Sequence, residues 1–247
     1  MTEQRLIPAV FGDRRTMGAA AADDVAAEIR RVHAERGRVR MVFAAAPSQR
    51  EMLDALVAQD LPWGDIEAFH MDDYLGLDDD DPARFGNWLK AHLFERVPMG
   101  RTHLMHPDRD DAGDYAALMA DAPIDITCLG IGVNGHLAFN DPPVADFDDP
   151  TPIKVVELDL DCRQQQVDDG CFSDLESVPT HAWTLTIPRL LASGSLFCVV
   201  PGAAKAAAVD RAISGPLTTD CPASALRLHR HVRLYLDRES SALLNGA

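Results

Sequence analysis

The sequence predicts an α/β fold of three layers, with helices on both faces of a largely parallel central sheet. Short apolar runs that are typical of buried strands alternate with segments whose apolar residues recur at helical spacing. The alternation shows no internal repeat, and no segment has the composition of a linker. Because α/β chains of about 200–250 residues are often one domain, we expect residues 1–247 to form a single domain.

Composition and charge restrict the class of protein. Apolar residues make up 47% and charged residues 25%, as in ordinary globular proteins, and no window approaches the roughly 20 apolar residues that span a bilayer. The N-terminal segment lacks the apolar core of a signal peptide, so a cytoplasmic location is expected. The formal net charge of −16 disfavours nucleic acid and membrane surfaces as partners, since both require a basic face.

The counts of cysteine and lysine are informative. The five cysteines are odd in number and form no CxxC pair, which indicates reduced thiols and argues against a metal site or a catalytic cysteine. Of the 23 lysines and arginines, the lysines are only Lys90, Lys154 and Lys205. With this net charge, an anionic ligand would need a local basic pocket.

The first helix is predicted from residue 22, because Val25, Ile29 and Val32 recur at helical spacing and Gly37 follows. Charged residues occupy the other positions, so one face packs on the protein and the other faces solvent. An apolar run over residues 39–46 then predicts the first buried strand.

A turn with two possible roles follows that strand. It contains Ala45, Ala46, Pro47 and Ser48 and leads into a helix. A helix N-terminus attracts anions through its free N–H groups and its dipole, which suggests a phosphate site. Alternatively, Ser48 caps the helix in a capping box with Glu51. Alanines stand where phosphate-binding turns normally have glycine, so these residues alone favour the capping role.

A second strand, predicted over residues 66–71, ends in a cluster of aspartates. Asp72 and Asp73 come directly off the strand end, where site residues of open α/β sheets are usually found. The residues alone leave a chemical role and a turn role for Asp72 equally open. Asp81 and Pro82 suit the N-cap and first position of the next helix. An EF-hand is excluded, because its glycine and closing glutamate are missing.

Residues 124–142 run from a buried strand into a glycine-rich turn that includes Gly135. The turn carries Asn134, His136 and Asp141. Histidine gains and loses a proton near pH 7, which suits acid–base catalysis. Asp141 can hold its ring in one tautomer and stabilise the imidazolium, and Asn134 can hydrogen-bond to the same assembly. A packing role for His136 is the alternative.

The remaining elements continue the alternation. Strands are predicted over residues 153–158, 183–187 and 196–200, with a polar segment over residues 161–177. The next helix has Lys205 in its first turn, where a cation opposes the helix dipole at a cost of about 0.3–1 kcal/mol unless an anion is bound. Lys205 is therefore a candidate anion-binding residue, with a solvated lysine as the alternative. A short helix and a last strand complete the order.

Two catalytic motifs are missing. The sequence contains neither a G-x-S-x-G elbow nor an H-E-x-x-H pair, so serine hydrolases and zinc proteases lose support. A histidine and carboxylates at strand ends instead indicate acid–base chemistry.

Five segments, distributed in order over nearly the whole chain, read MDDYLGL, LGIGVNGHLAFNDP, VPTHAWTLTIPRLL, VPGAAKAAAV and CPASALRLH. Together they resemble the glucosamine-6-phosphate deaminase (isomerase) family. The resemblance implies a Rossmann-like α/β fold and conversion of an amino-sugar 6-phosphate into a ketose 6-phosphate and ammonia, without a cofactor. The expected partner is a small phosphosugar.

The resemblance also implies roles for individual residues. Asp72 would move a proton between C2 and C1 of the opened sugar, and His136 would open the ring by protonating its oxygen. Asp141 and Asn134 would orient His136. The substrate, and its phosphate in particular, would be bound by Ala45, Ala46, Pro47, Ser48, Gly135, Arg163 and Lys205.

This sequence departs from the family pattern at several positions. Alanines replace the usual glycine and threonine of the phosphate turn, Asp141 replaces a glutamate, and Asn134 stands where many members have aspartate. The segment around Arg163 is longer than usual and lacks a second arginine that normally meets phosphate. Asp141 is one methylene shorter than glutamate, and the geometry of a site controls its rate steeply.

Three alternatives stay open: a 6-phosphogluconolactonase of related fold, a galactosamine-6-phosphate deaminase, and a catalytically silent sugar-phosphate binder. The MDDY and AFNDP segments favour a deaminase over a lactonase. Members of the resembled family range from monomers to hexamers, so the sequence leaves open whether the chain forms a homo-oligomer.

Overall fold

The computed structural model describes residues 3–244. Within them the strands are β1 (Pro8–Phe11), β2 (Val39–Phe43), β3 (Ile66–His70), β4 (Asp72–Tyr74), β5 (Arg101–His103), β6 (Ile126–Leu129), β7 (Ile153–Glu157), β8 (His181–Leu185), β9 (Ser195–Val200) and β10 (Val232–Asp237). The α-helices are α1 (Arg14–Arg36), α2 (Arg50–Val57), α3 (Phe85–Leu89), α4 (Ala112–Ala120), α5 (Leu160–Asp168), α6 (Ile187–Leu191) and α7 (Ala206–Ser214).

The central sheet is parallel throughout, with the strand order β1-β10-β9-β6-β2-β3-β5. Helices α1, α2 and α3 contribute to one apolar core, and α4, α6 and α7 contribute to the other. Along β2, Met41 and Phe43 belong to the first core and Val42 to the second, because successive side chains of a strand point to opposite faces. The predicted three-layer α/β fold with a largely parallel, Rossmann-like sheet is confirmed.

A second, antiparallel sheet has the strand order β4-β8-β7. The sequence analysis located β7 and β8 but did not predict that they pair with each other and with β4. An apolar run identifies a strand without identifying its neighbours, which are set by long-range contacts. This small sheet includes Asp72, the first residue of β4.

Helix α1 is longer than predicted. It begins after Asp13, whose carboxylate accepts a hydrogen bond from the backbone N–H of Thr16 at 2.8 Å. It ends at Gly37, as predicted, with that residue in the left-handed conformation at φ 71°. The sequence analysis did not predict β1, which is too short for a clear pattern.

Two other expectations are wrong, and one helix was not predicted. Ser48 does not cap α2, because Pro47–Gln49 forms a 3-10 turn and the N-cap is Gln49, without a side-chain hydrogen bond. Helix α3 does not start at Asp81, whose carboxylate instead accepts from the backbone N–H of Ala83 at 2.8 Å, in a turn before the helix. The polar segment after β7 contains α5, whose few apolar residues give no clear helical pattern.

The chain reverses its direction of travel across the sheet between β2 and β6. From β2 it proceeds outward to β3 and β5, whereas from β6 it proceeds outward on the other side through β9 to β10. Ligands of open α/β sheets bind outside the carboxyl ends of the strands at such a reversal. The turns that follow β2 and β6 therefore lie where the topology favours a ligand.

Two expectations from composition concern the chain as a whole. All five cysteines are free. Among residues 3–244, no helix combines the length and the apolar character needed to cross a bilayer.

Arg40, on β2, is a fully buried charged residue. It forms an ion pair with Glu67 at 2.7 Å and donates hydrogen bonds to the carbonyl oxygens of Leu118 at 2.6 Å and Met119 at 3.3 Å. These carbonyl groups belong to the last turn of α4, where the helix itself supplies no donors. Arg40 therefore ties the end of α4 to the sheet.

The substitution Arg40→Leu is expected to lower the free energy of unfolding by about 3 kcal/mol, because it leaves the carbonyl groups without their donor and leaves Glu67 with His103 alone as its partner. Arg38→Leu is the matched control, since Arg38 is exposed, and it should change stability by less than about 0.5 kcal/mol. Urea unfolding followed by circular dichroism measures both. Equal losses of stability would contradict this role of Arg40.

Candidate active site

A pocket at the reversal point is lined by the turn after β2, the start of β4, the glycine-rich turn after β6 and the residue that precedes α7. Among the residues proposed from the sequence, those that line it are Ala45, Ala46, Ser48, Asp72, His136 and Lys205. They come from four segments that are distant in sequence. The structure therefore brings together a carboxylate, a histidine and a lysine around one cavity.

The backbone at Asp72 is held by a buried histidine. The Nδ1 atom of His70 lies 2.9 Å from the carbonyl oxygen of Asp72, and the backbone N–H of Met105 donates to Nε2 of His70 at 2.7 Å. Because Nε2 accepts, the proton is assigned to Nδ1, which donates to Asp72. Burial lowers the pKa of His70 to about 3, so the ring is neutral. His70 therefore fixes the start of β4.

The side chain of Asp72 faces the pocket. Among residues 3–244, no side chain or backbone N–H donates a hydrogen bond to its carboxylate. Burial raises the pKa of this carboxyl well above its usual range, and the charge of Asp73 raises it further. A carboxylate with a raised pKa is a stronger base than an exposed one and suits proton transfer near neutral pH.

Asp73 has a different environment from its neighbour. Its carboxylate accepts hydrogen bonds from the backbone N–H groups of Tyr74 at 2.8 Å, Phe85 at 3.2 Å and Gly86 at 3.2 Å. Burial raises its pKa to about 6, although these donors oppose the rise. Asp73 thus holds the start of α3, whereas Asp72 has its carboxylate available to a ligand.

The side chains of His136 and Asp141 are in close contact. Nδ1 of His136 lies 2.9 Å from Oδ1 of Asp141, although the two groups are not aligned as a hydrogen bond. Asn134 joins them, since its Nδ2 donates to Oδ1 of Asp141 at 2.9 Å and its Oδ1 accepts from the backbone N–H of His136 at 3.0 Å. The backbone N–H of Asp159 donates to the other carboxylate oxygen at 3.2 Å.

Asp141 is fully buried behind the histidine. Burial alone would raise its pKa, but the contacts with His136 and Asn134 hold the pKa below its usual value. Asp141 is therefore anionic at neutral pH and stabilises the imidazolium form of His136. Neither Asn134 nor Asp141 lines the pocket itself, so both act on a ligand through His136.

The glycines of the turn determine where His136 lies. A Cβ atom at Gly132 would be 2.1 Å from Nε2 of His136, so the imidazole ring packs directly against the glycine backbone. Gly135 has φ 94°, and a Cβ atom there would be 2.8 Å from Sγ of Cys221. Gly135 therefore supports the turn and is not among the residues that line the pocket.

The spacing of Gly130, Gly132 and Gly135 matches the G-x-G-x-x-G fingerprint of dinucleotide-binding proteins. In those proteins the motif opens a helix whose N-terminus binds a pyrophosphate. Here the next helix after β6 is α5, beyond β7. The glycines therefore serve the placement of His136, and the motif gives no support to a dinucleotide site.

Lys205 is the last residue of the 3-10 turn Ala203–Lys205, directly before α7, and it is only 7% exposed. Among residues 3–244, its ammonium group has no hydrogen-bond or ion-pair partner. Burial lowers the pKa of Lys205 to about 8, although the charge of Asp169 opposes this change. A buried cation without a partner is costly in free energy. The pocket is therefore suited to an anionic ligand at this end.

The turn after β2 is anchored beside Lys205. Nε2 of Gln49 donates to the carbonyl oxygen of Val199 at 3.1 Å and to the hydroxyl of Ser48 at 3.3 Å. This places the Ser48 hydroxyl at the pocket wall. Pro47 lines an adjoining groove together with Arg50 instead of the pocket.

Arg163 does not reach the pocket in the described part of the chain. Its guanidinium donates to the carbonyl oxygens of Leu175 at 2.6 Å and Val178 at 2.9 Å, which holds the loop after α5. The same helix instead presents Gln165 and Gln166 to the pocket. Both glutamines were missed in the sequence analysis, because their segment was described only as polar.

The fold and the pocket define a doubly wound α/β protein with acid–base groups and a buried lysine at the reversal of its sheet. Comparison with known proteins identifies the family. The chain belongs to the glucosamine-6-phosphate isomerases/6-phosphogluconolactonase family, whose sequence model matches residues 12–149. That range includes Asp72, His136 and Asp141, and the resemblance stated from the sequence is confirmed.

Several relatives match over nearly their whole length. A glucosamine-6-phosphate deaminase from Streptococcus pneumoniae serotype 4 is 32% identical over 224 residues, which cover 89% of this chain and 94% of the relative. One from Streptococcus gordonii is 30% identical over 226 residues, which cover 90% of this chain and 94% of the relative.

Solved structures superpose on the chain over nearly its whole length. A monomeric glucosamine-6-phosphate deaminase superposes with a TM-score of 0.86 at 27% identity, over 96% of this chain and 100% of that one. A putative 6-phosphogluconolactonase from Neisseria gonorrhoeae superposes with a TM-score of 0.74 at 17% identity, over 94% of this chain and 99% of that one. The latter likeness concerns the fold alone.

Anion binding is expected to weaken as pH rises through the pKa of Lys205. The charged lysine predominates below its pKa of about 8 and is lost above it, so affinity should fall at least about tenfold between about pH 7.5 and pH 9.5. Calorimetric titration with inorganic sulfate measures this change, because the charge of sulfate is constant over the range.

Two variants provide controls for this titration. Lys205→Met should bind sulfate weakly, with little dependence on pH. Lys154→Met should keep the wild-type profile, because Lys154 is engaged elsewhere by Asp149 at 2.9 Å. An identical profile for Lys205→Met and the wild type would remove Lys205 from the anion site.

Proposed function

We propose that the protein converts glucosamine 6-phosphate and water into fructose 6-phosphate and ammonia. The observation that carries this proposal is the convergence of Asp72, His136 and Lys205 on one pocket. The relatives named glucosamine-6-phosphate deaminase, which are 30–32% identical over most of the chain, support this choice of substrate. A cytoplasmic location and a single domain over residues 1–247 are part of the proposal.

The phosphate end of the substrate binds at Lys205 and the turn after β2. The lysine supplies the charge, and the Ser48 hydroxyl and the backbone at Ala45 and Ala46 supply further polar contacts. Because the net charge of the chain is −16, this local cation is needed to retain a dianion. Binding there positions the sugar carbons toward Asp72 and His136.

His136 opens the sugar ring. It delivers a proton to the ring oxygen while the bond from that oxygen to C1 breaks, and the C1 hydroxyl releases its proton to water as the aldehyde forms. Asp141 stabilises the imidazolium that donates the proton, and Asn134 connects the Asp141 carboxylate to the backbone N–H of His136. A ring held against Gly132 has few other orientations.

Asp72 carries out the isomerisation. Its carboxylate removes the proton from C2 of the open aldehyde, which gives an enolamine, and then returns a proton to C1. The nitrogen on C2 is now an imine. Addition of water to C2 and cleavage of the C2–N bond release ammonia and leave the ketone of fructose 6-phosphate. The final step is a hydrolysis, so the reaction combines isomerase and hydrolase chemistry.

The test is ammonia release from glucosamine 6-phosphate by purified protein. Ammonia and fructose 6-phosphate should form in equal amounts, as measured by enzyme-coupled assays. Asp72→Asn should lower kcat by about 10²–10⁴-fold, because it removes the base, while the substrate still binds. Asp80→Asn is the matched control, since Asp80 is exposed, and it should leave kcat unchanged.

Other outcomes assign the pocket differently. Ammonia from galactosamine 6-phosphate alone would change the substrate to that epimer. Hydrolysis of 6-phosphogluconolactone without ammonia release from either amino sugar would indicate the lactonase branch of the family. Substrate binding without any turnover would indicate a sugar-phosphate binder and contradict the proposed reaction.

A further inference from the structure

Behind the ring of His136, three side chains bring nitrogen, oxygen and sulfur ligands together. A ring nitrogen of His136, a carboxylate oxygen of Asp141 and Sγ of Cys162 all lie within 4.8 Å of one another. All three residues are buried, and Cys162 is completely inaccessible to solvent. Cys162 comes from α5, whereas the other two come from the turn after β6.

A second observation is the state of Nδ1 of His136. This atom lies 2.9 Å from Oδ1 of Asp141, but among residues 3–244 it has no aligned hydrogen-bond partner. The residue is only 8% exposed. A cation placed between His136, Asp141 and Cys162 would give this nitrogen an aligned partner.

We propose that His136, Asp141 and Cys162 form a binding site for a zinc ion that inhibits the protein. Zinc accepts imidazole nitrogen, thiolate sulfur and carboxylate oxygen, and three protein ligands leave a fourth position for water. A thiolate in the set favours zinc over magnesium and calcium, which prefer oxygen ligands. From the sequence, a metal site was not expected because the five cysteines are odd in number and form no CxxC pair, a criterion that does not detect ligands far apart in the chain.

Metal binding requires defined protonation states. Zinc binds Cys162 as the thiolate, so the thiol proton is released to solvent. The neutral His136 ring then carries its proton on Nε2, which leaves the lone pair of Nδ1 for the metal. Release of the thiol proton is opposed by burial and by the carboxylates of Asp141 and Asp72, which raise the pKa of the thiol. The same two negative charges attract the divalent cation.

Zinc in this position removes His136 from proton transfer. Nδ1 of His136 and the Asp141 carboxylate then bind the metal instead of each other, and the one remaining proton of the ring stays on Nε2. Ring opening needs His136 to donate a proton and to regain it in each turnover. Inhibition therefore rests on the proposed function, whereas metal binding itself does not.

Cobalt(II) tests the site without reference to activity. Added to chelator-treated wild-type protein, it is expected to give a thiolate-to-cobalt charge-transfer band at one equivalent, and zinc should abolish the band by competition. Cys162→Ser and Cys162→Ala should lose the band. Cys171→Ser, which alters a partly exposed cysteine, is the matched control and should keep it. Circular dichroism establishes that each variant is folded.

Zinc inhibition of ammonia release is the second arm, with each variant compared with its own zinc-free rate. Wild type and Cys171→Ser should be inhibited equally. Cys162→Ser should be at least about tenfold less sensitive to zinc, because mutation of residues that support a metal site commonly lowers metal affinity by that factor or more.

A missing cobalt band in wild type, or a band lost in Cys171→Ser alone, overturns the site. Full turnover with zinc bound overturns the inhibition. Should zinc-free protein release no ammonia, the proposed function fails, while the cobalt band still decides the metal site.

Discussion

The imidazole of His136 occupies space that only glycine leaves free at position 132. A side chain there would begin 2.1 Å from the ring, and the turn is tight enough for the backbone N–H of Gly132 to donate to the carbonyl oxygen of His136 at 3.0 Å. The same turn, closed by this hydrogen bond, positions the imidazole ring. The ring placed in this way contacts Asp141, and Asn134 hydrogen-bonds to that carboxylate and to the backbone N–H of His136.

The two carboxylates of the site have opposite environments. Asp72 is buried beside another carboxylate and has a raised pKa, whereas Asp141 is buried beside donors and has a lowered pKa. Such a separation lets one group act as a base while the other stays ionised as an electrostatic partner. The topology brings the two carboxylates to the same site. Asp72 follows β3 and Asp141 follows β6, and these two strands are the neighbours of β2 in the sheet. Lys205, which follows β9, adds the charge for an anion.

The sequence predicted those strands, helices and helix ends that depend on neighbouring residues in the chain. The strand before His136, the glycine that ends α1 and the helix after Lys205 all have patterns that are legible within about ten residues. Burial of Lys205 could not be read in this way, because it depends on packing between segments distant in the chain.

Other features of the site were missed for the same physical reason. The pairing of β4 with β8 is a long-range choice, and α5 has too few apolar residues to give a helical pattern. Gln165 and Gln166 were therefore not recognised as residues of the pocket. Arg163 matched a family position by sequence, but the longer segment after α5 uses its guanidinium to hold backbone carbonyl groups.

The most direct measurement is a crystal structure of the protein with 2-amino-2-deoxyglucitol 6-phosphate, an open-chain analogue that lacks the aldehyde and cannot react. The account predicts a phosphate oxygen about 3 Å from Nζ of Lys205, the C5 hydroxyl at hydrogen-bond distance from His136, and C1 and C2 next to the Asp72 carboxylate. A phosphate bound in the groove beside Arg50, with C1 and C2 out of reach of Asp72, would contradict the account.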